Sequence, residues 1–232
     1  MIYFGKNVVK EMVLNRFPIF NVYLDEKFAD QKFLEFLNQN NSKIERVSKE
    51  RLFKLTNTKD HQGIAVNASE FKYFELAELL AKDIKKIIIL DSIQDPHNLG
   101  ALLRSAEAFG IDTVVISSRE QVKVTPTVLK VSAGAAIKVQ ISMVKSISKT
   151  INTLKENNFK VYSTTLNTNK SVSCLKAEDK IAVILGNEGL GVRKNLISLS
   201  DDTVTIPMIG KINSLNVSVA GAIVMNEMTR KD

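Results

Sequence analysis

Two continuous apolar runs, KIIIL at 86–90 and IAVIL at 181–185, constrain the chain more than any other feature. A strand of alternating polarity can leave one face in water, but a strand with no polar position must be covered on both faces. From Lys85 onward such runs alternate with helical periodicity. Strands are expected at 86–91, 113–117, 138–141, 160–164, 181–185 and 203–206. Helices are expected between and after them, at 98–109, 127–136, 146–157, 192–199 and 214–229. Strand–helix–strand connections cross over with a right-handed turn and make neighbouring strands parallel. The expected class is α/β, a parallel sheet flanked by helices.

The segment ahead of these runs has shorter elements. Helices are expected at 8–14 and 28–37, the second with Phe33, Leu34 and Leu37 at helical spacing, and strands at 19–24, 44–47 and 63–68. In SKER, Ser48 has the pattern of an N-cap. These elements make a small α/β domain over residues 1–69. Residues 70–84 read as a linker with a helical pattern at 73–81, and 85–232 as the second domain.

Lys plus Arg number 32 against 25 Asp plus Glu, a net charge of +7 that suits a polyanionic partner, although no basic run marks a tail. Cys174 is the single cysteine, so no intrachain disulfide can form, which fits a reducing compartment. The start, MIYFGKNVVKEMVLNRF, lacks a signal-peptide pattern, and the apolar runs are too short to span a bilayer. The expectation is a cytoplasmic protein with no membrane partner.

Three loops follow apolar strands in the second domain. The first, DSIQDPHNLGALLRSAEAFG, has Pro96 just ahead of a helix start and Asn98 as its expected cap. Leu99, Leu102, Leu103, Ala106 and Phe109 share the apolar face of that helix, with Arg104 roughly opposite. The second, LGNEGLGV at 185–192, carries Gly186, Gly189 and Gly191 directly after a buried strand, where backbone can approach a ligand. Its order is neither a dinucleotide fingerprint nor a phosphate loop, and Glu188 suits a neutral or cationic ligand better than a phosphate. The third, IPMIGKINSLNVSVAGA at 206–222, passes from a strand through a polar loop with Gly210, Ser214 and Asn216 into a small-residue helix. Loops at the carboxyl ends of parallel strands converge on one sheet edge, where α/β proteins bind ligands. His61 and His97 lack the spacing of a zinc site, and His61 in KDHQG reads as a turn residue. Cys174 reads as incidental, and the small patch SAGAA at 132–136 as close helix packing.

Together, DPHNLGALLRSAEAFG, LGNEGLG and IPMIGKINSLNVSVAGA resemble, in order and spacing, the three motifs of the SpoU (TrmH-type) family of SPOUT RNA methyltransferases. Residues 1–68, ending in HQGIAV, resemble the small substrate-binding domain of many members, whose fold is similar to a ribosomal protein. The nearest resemblance is to members that methylate a guanosine ribose of 23S rRNA. The resemblance implies a C-terminal trefoil knot and a homodimer whose active site draws on both subunits. It implies S-adenosylmethionine (SAM) as cofactor, held mainly by backbone at Gly186, Ile206 and Leu215 with Asn187, Pro207 and Met208 as neighbours. It further implies Asn98, Arg104, Glu188, Ser214 and Asn216 as active-site residues, RNA rather than DNA as partner, and no metal. Guanidinium rarely gives up a proton, so Arg104 is expected to orient and stabilise, with a phosphate oxygen or solvent as the acceptor. Asn98 and Ser214 are expected to fix its position. Competing readings are a tRNA guanosine 2′-O-methyltransferase and an RNA-binding factor without catalysis. The N-terminal domain favours rRNA, since short tRNA-directed relatives often lack it.

Overall fold

The computed structural model describes residues 1–40, 42–187, 189–212 and 214–230. The chain forms two units, Met1–Lys72 with Val124–Lys138, and Tyr73–Lys123 with Val139–Asp232. The first contains β1 (Ile2–Phe4), α1 (Lys6–Leu14), β2 (Ile19–Asp25), α2 (Gln31–Gln39), β3 (Ile44–Val47), α3 (Lys49–Thr56) and β4 (Ile64–Ala68). Its sheet runs β1-β4-β2-β3, with β4 antiparallel to both neighbours and β2 parallel to β3. Asp30 caps α2 by accepting from Phe33 N at 3.1 Å, and Ser48 caps α3 by accepting from Arg51 N at 3.3 Å. Each side chain satisfies a donor that the first helical turn leaves without a backbone partner. Strand β1 was not anticipated; IYF is too short to display a period.

After β4 come α4 (Leu76–Leu80), β5 (Lys86–Leu90), α5 (Pro96–Ala108), β6 (Thr113–Ser117), α6 (Pro126–Val131), β7 (Gln140–Val144), α7 (Ile147–Glu156), β8 (Lys160–Thr164), β9 (Ile181–Leu185), α8 (Lys194–Leu199), β10 (Asp202–Val204) and α9 (Val217–Thr229). Of these, α6 packs with the first unit. Thr125 caps it, and Ala133 and Gly134, both at positive φ, end the turn that follows. A side chain at Gly134 would meet Glu11 Cγ on α1 at 2.8 Å, so SAGAA is a site of close packing. A 3-10 turn at Ala135–Ile137, with Lys138 as its C-cap, stands directly ahead of the strand expected from 138, and β7 begins two residues later than that. The helix expected at 73–81 shrinks to α4, because Phe74 bridges Ser142 on β7 instead.

The second unit carries a six-stranded sheet in the order β10-β8-β9-β5-β6-β7, parallel at every pairing. Both of its faces are covered, as the apolar runs require. Ile87, Ile89, Val115, Ala182 and Ile184 pack with Ile147, Ile151 and Leu154 of α7 and Leu196 of α8. The alternate residues Ile88, Leu90, Val114, Val183 and Leu185 are equally buried. On that side Leu185 meets α9, and α9 meets α5. The chain starts the sheet at β5 and builds outward through β6 and β7, then returns on the other side with β8 and β9. The order therefore reverses between β5 and β9, and such a switch opens a crevice at the strands' carboxyl ends. Among the described residues no helix is long and apolar enough to cross a membrane.

Candidate active site

On the β9 side of that switch the strand ends frame a cavity of about 530 Å³, within the usual size range of small-molecule sites. Its walls are the ends of β8, β9 and β10, the glycine loop after β9, the loop after β10 and the first turn of α9. Gly186, Asn187, Ile206, Met208, Ser214 and Leu215 line it, and Pro207 lies between two lining residues. Strand β10 ends at Val204, two residues before the expected end, so Ile206 and Pro207 belong to the wall rather than to the sheet. The lining is largely apolar and main-chain, and Lys194 is its one charged side chain among the described residues. Such a wall suits an uncharged heterocycle, with one cation available for an anionic group.

The glycine loop folds back on itself. Asn187 and Gly191 form an antiparallel bridge, with Gly191 N donating to Asn187 O at 2.9 Å. Asn187 Oδ1 accepts from Gly189 N at 2.8 Å, and its amide nitrogen donates to Ser92 O at 3.0 Å, tying the loop to the one after β5. Gly186 lies where the two limbs touch: a Cβ there would stand 2.1 Å from Gly191 C and from Val192 N. Close approach thus explains Gly186. It does not explain Gly210, where an added Cβ would meet nothing within 4 Å. Glu188 lies outside the described residues.

Helix α5 begins at Pro96 rather than Asn98. Asp95 is the cap, accepting from His97 N at 2.8 Å, and Pro96 fills the first helical position, where its missing N–H costs nothing. Asn98 is thereby released from capping. Helix α9 likewise starts later than 214, because Asn216 caps it, its Oδ1 accepting from Ser218 N at 2.9 Å. A backbone N–H can only donate, so this bond fixes which way the Asn216 amide points. Its Nδ2 then faces Asn98 and donates to Asn98 Oδ1 at 3.1 Å. The two helices come this close because Gly221 leaves room for Leu102; a Cβ at Gly221 would stand 2.3 Å from Leu102 Cδ2.

Arg104 is the ninth residue of α5, about 12 Å along its axis, and is exposed because Leu99, Leu102, Leu103 and Ala106 occupy the buried face. It is not part of the cavity lining. Among the described residues it has no hydrogen-bond or ion-pair partner. Asn98 pairs with Asn216 rather than with Arg104, and neither Ser214 nor Asn216 reaches it. The arrangement is a cofactor-sized cavity closed by the first turn of α9, with α5 packed against α9 and carrying an exposed Arg104 that has no partner among the described residues.

One feature of the site was missed in the sequence. Asp91, directly after β5 and fully buried, receives Arg193 from two directions: Nη2 at 2.7 Å from Oδ1 and the backbone N–H at 3.1 Å from Oδ2. A charged residue ending one apolar run and an Arg ending the glycine loop were the available signals. Elsewhere, burial pushes the Cys174 thiol above its ordinary range, which leaves it a poor nucleophile. His61 is buried, and its Nδ1 accepts from Gly63 N at 3.0 Å, which makes it a structural turn residue.

Residues 85–226 match the SpoU rRNA methylase family, and residues 2–74 match a family of RNA 2′-O ribose methyltransferase substrate-binding domains. A Staphylococcus epidermidis protein assigned to the TrmH family of tRNA/rRNA methyltransferases is 36% identical over 98% of this chain and 94% of its own length. A Staphylococcus haemolyticus counterpart is 33% identical over the same shares. Among solved structures, the SpoU methyltransferase AviRb of Streptomyces viridochromogenes, in complex with AdoMet, superposes with a TM-score of 0.84 at 18% identity, covering 99% of this chain and 89% of its own. An AdoMet-bound rRNA methyltransferase from Sinorhizobium meliloti gives 0.81 at 18% identity, covering 98% and 85%. Matched by the family's model across most of its second unit and by relatives across nearly its whole length, this chain belongs to the SpoU (TrmH-type) methyltransferase family.

Proposed function

We propose that this chain methylates a ribose 2′-hydroxyl in RNA, at a guanosine of 23S rRNA, with SAM as donor. The observation that carries the reading is the 530 Å³ cavity at the carboxyl ends of β8, β9 and β10, closed by the first turn of α9, together with Arg104, exposed and without a partner among the described residues, on α5, which packs against α9. The cavity fits the cofactor in size and in chemistry. Main chain at Gly186, Ile206 and Leu215 would meet the polar edge of the adenine, while Met208 and Val217 supply apolar surface and Lys194 a partner for the carboxylate. Bound there, SAM would supply a methyl group already activated on sulfonium.

The protein's task is then to align the hydroxyl and to stabilise the charge that develops on its oxygen. Arg104 performs it as a fixed cation: its fork donates to the ribose oxygen or to the adjoining phosphate and keeps its own proton. The proton leaves to a phosphate oxygen or to solvent. The Asn98–Asn216 bond holds α5 against the start of α9, so that Arg104 keeps its place relative to the cavity. Glu188, Ser214 and Pro207 complete the proposed site. The trefoil threading belongs to the same proposal, as does a homodimer, supported by the exposed apolar side chains of Leu190, Ile209 and Ile212 on the cavity's loops. The first unit would bind the RNA.

Transfer of labelled methyl from SAM to 23S rRNA and tRNA transcripts, followed by mapping of ribose methylation, tests the reading. Label in rRNA is expected with the wild type, and a fall of about 100-fold or more in kcat, with SAM binding kept, for Arg104→Ala. Full activity in that variant removes Arg104 from the mechanism. Label in tRNA alone moves the target, and SAM binding without transfer to either RNA points to a binding factor.

A further inference from the structure

The glycine loop is held at both ends by one residue. At its entry, Asp91 N donates to Leu185 O at 2.9 Å. At its exit, the Asp91 carboxylate takes the guanidinium of Arg193 on one oxygen and the backbone N–H of Arg193 on the other. Ser92 Oγ donates to Oδ1 at 3.3 Å, and Ser92 O receives the Asn187 amide in mid-loop. Everything between these anchors that is described, Gly186 to Val192, lines the cavity. The carboxylate is fully buried, while the Arg193 side chain is 44% exposed and, among the described residues, has Glu120 as a second, more distant anion, at 3.8 Å. A buried ion pair is seldom the most stable way to fill such a space, since well-packed apolar side chains do as well or better. What it supplies is geometry, because two donors must converge on two oxygens of one plane.

We infer that Asp91 and Arg193 are positioning residues that set the affinity for the cofactor by locking the glycine loop in its ligand-ready shape. The inference rests on the proposed SAM site. An amide cannot replace the carboxylate, because it offers one acceptor oxygen where Arg193 presents two donors, so one donor would face an NH₂ group. Asp91→Asn therefore breaks the clamp without changing its size. Arg193→Met breaks it from the half-exposed side, and Arg193→Lys retains a cation for Oδ1.

The test combines SAM titration calorimetry, steady-state kinetics and amide hydrogen exchange on folded protein. Asp91→Asn and Arg193→Met are each expected to raise Kd and KM for SAM about tenfold, with kcat at saturating SAM changing far less. Arg193→Lys should recover most of the loss. Should Asp91→Asn fail to fold, Arg193→Met carries the test. Unchanged SAM affinity in folded Arg193→Met, even with a lower melting temperature, overturns the inference and leaves the pair a prop of the fold. If the wild type itself binds no SAM, the cofactor reading fails separately. The clamp is then judged by exchange alone: faster exchange at 186–192 in Arg193→Met supports it, and unchanged exchange overturns it.

Discussion

Replacing Gly186 by Ala is the most severe single-methyl change the site can receive. The added Cβ would lie 2.1 Å from two main-chain atoms of the opposite limb and 2.4 Å from a third, 0.9 Å inside the 3.0 Å that real Cβ atoms keep. None of these atoms belongs to a side chain that could swing aside, so the limbs must part. Overpacking costs about 1–3 kcal/mol and occasionally more, and backbone on both sides puts Gly186→Ala near ~3 kcal/mol. For a chain of this size that is a fall of roughly 6–12 °C in melting temperature. Two other loop glycines serve as controls. Gly191 has free space but a φ of +67°, so Ala there costs ~1–2 kcal/mol from backbone strain alone. Gly210 has neither close neighbours nor positive φ, so Gly210→Ala should be neutral or slightly stabilising. Thermal unfolding by circular dichroism gives the order of stabilities. Calorimetry with SAM should show binding lost in Gly186→Ala and kept in Gly210→Ala. A Gly186→Ala protein no less stable than Gly191→Ala would refute the reasoning.

Asn216→Ala removes both a helix cap and the bond to Asn98, and should cost ~1–2 kcal/mol by denaturant unfolding. Asn216→Ser, which can still cap, should cost roughly half as much; a loss equal to that of Asn216→Ala would sink that division of roles. For His61, desolvation is the main cause of a pKa below the ordinary 6.5, with Asp25 opposing it. The unfolded chain therefore takes up the proton first as acidity rises. The stability this adds is complete above pH 6.5 and is lost as pH falls below it toward the folded value. His61→Asn, whose oxygen can still accept from Gly63, should flatten that part of the stability profile between pH 7 and 5; an unchanged slope would count against it.

The parallel sheet was legible because unbroken apolar runs such as KIIIL leave a strand no face to expose, and the structure buries every residue of Ile181–Leu185. Local competition between neighbouring residues was not legible. Asn98 and Asp95 are both good caps, and only the helix's start at Pro96 decides for Asp95. The 3-10 turn that displaces β7 follows from Gly134 meeting α1, a contact between residues more than a hundred positions apart. Of the proposed site, the cavity-lining residues stood out by motif, whereas Asp91 and Arg193 did not. Each is ordinary in its own segment, and the ion pair exists only after β5 and β9 have become neighbours.

The strand order also dictates a sequence of assembly. Within the central pairings, β5 meets β6 from Ile87/Thr113 to Leu90/Ile116 and meets β9 from Lys86/Ile181 to Leu90/Leu185, the second across a far longer stretch of chain. Closing the longer loop costs only about 1 kcal/mol more in chain entropy, yet distant pairings slow folding well beyond that figure. The nearer β5–β6 pairing is therefore expected to form before β9 joins β5. The cavity wall, made from the ends of β8, β9 and β10 and the start of α9, has to wait for the last third of the chain. Competence to bind a ligand is thus expected late in folding, and amide protection should reach β9 after it has reached β6.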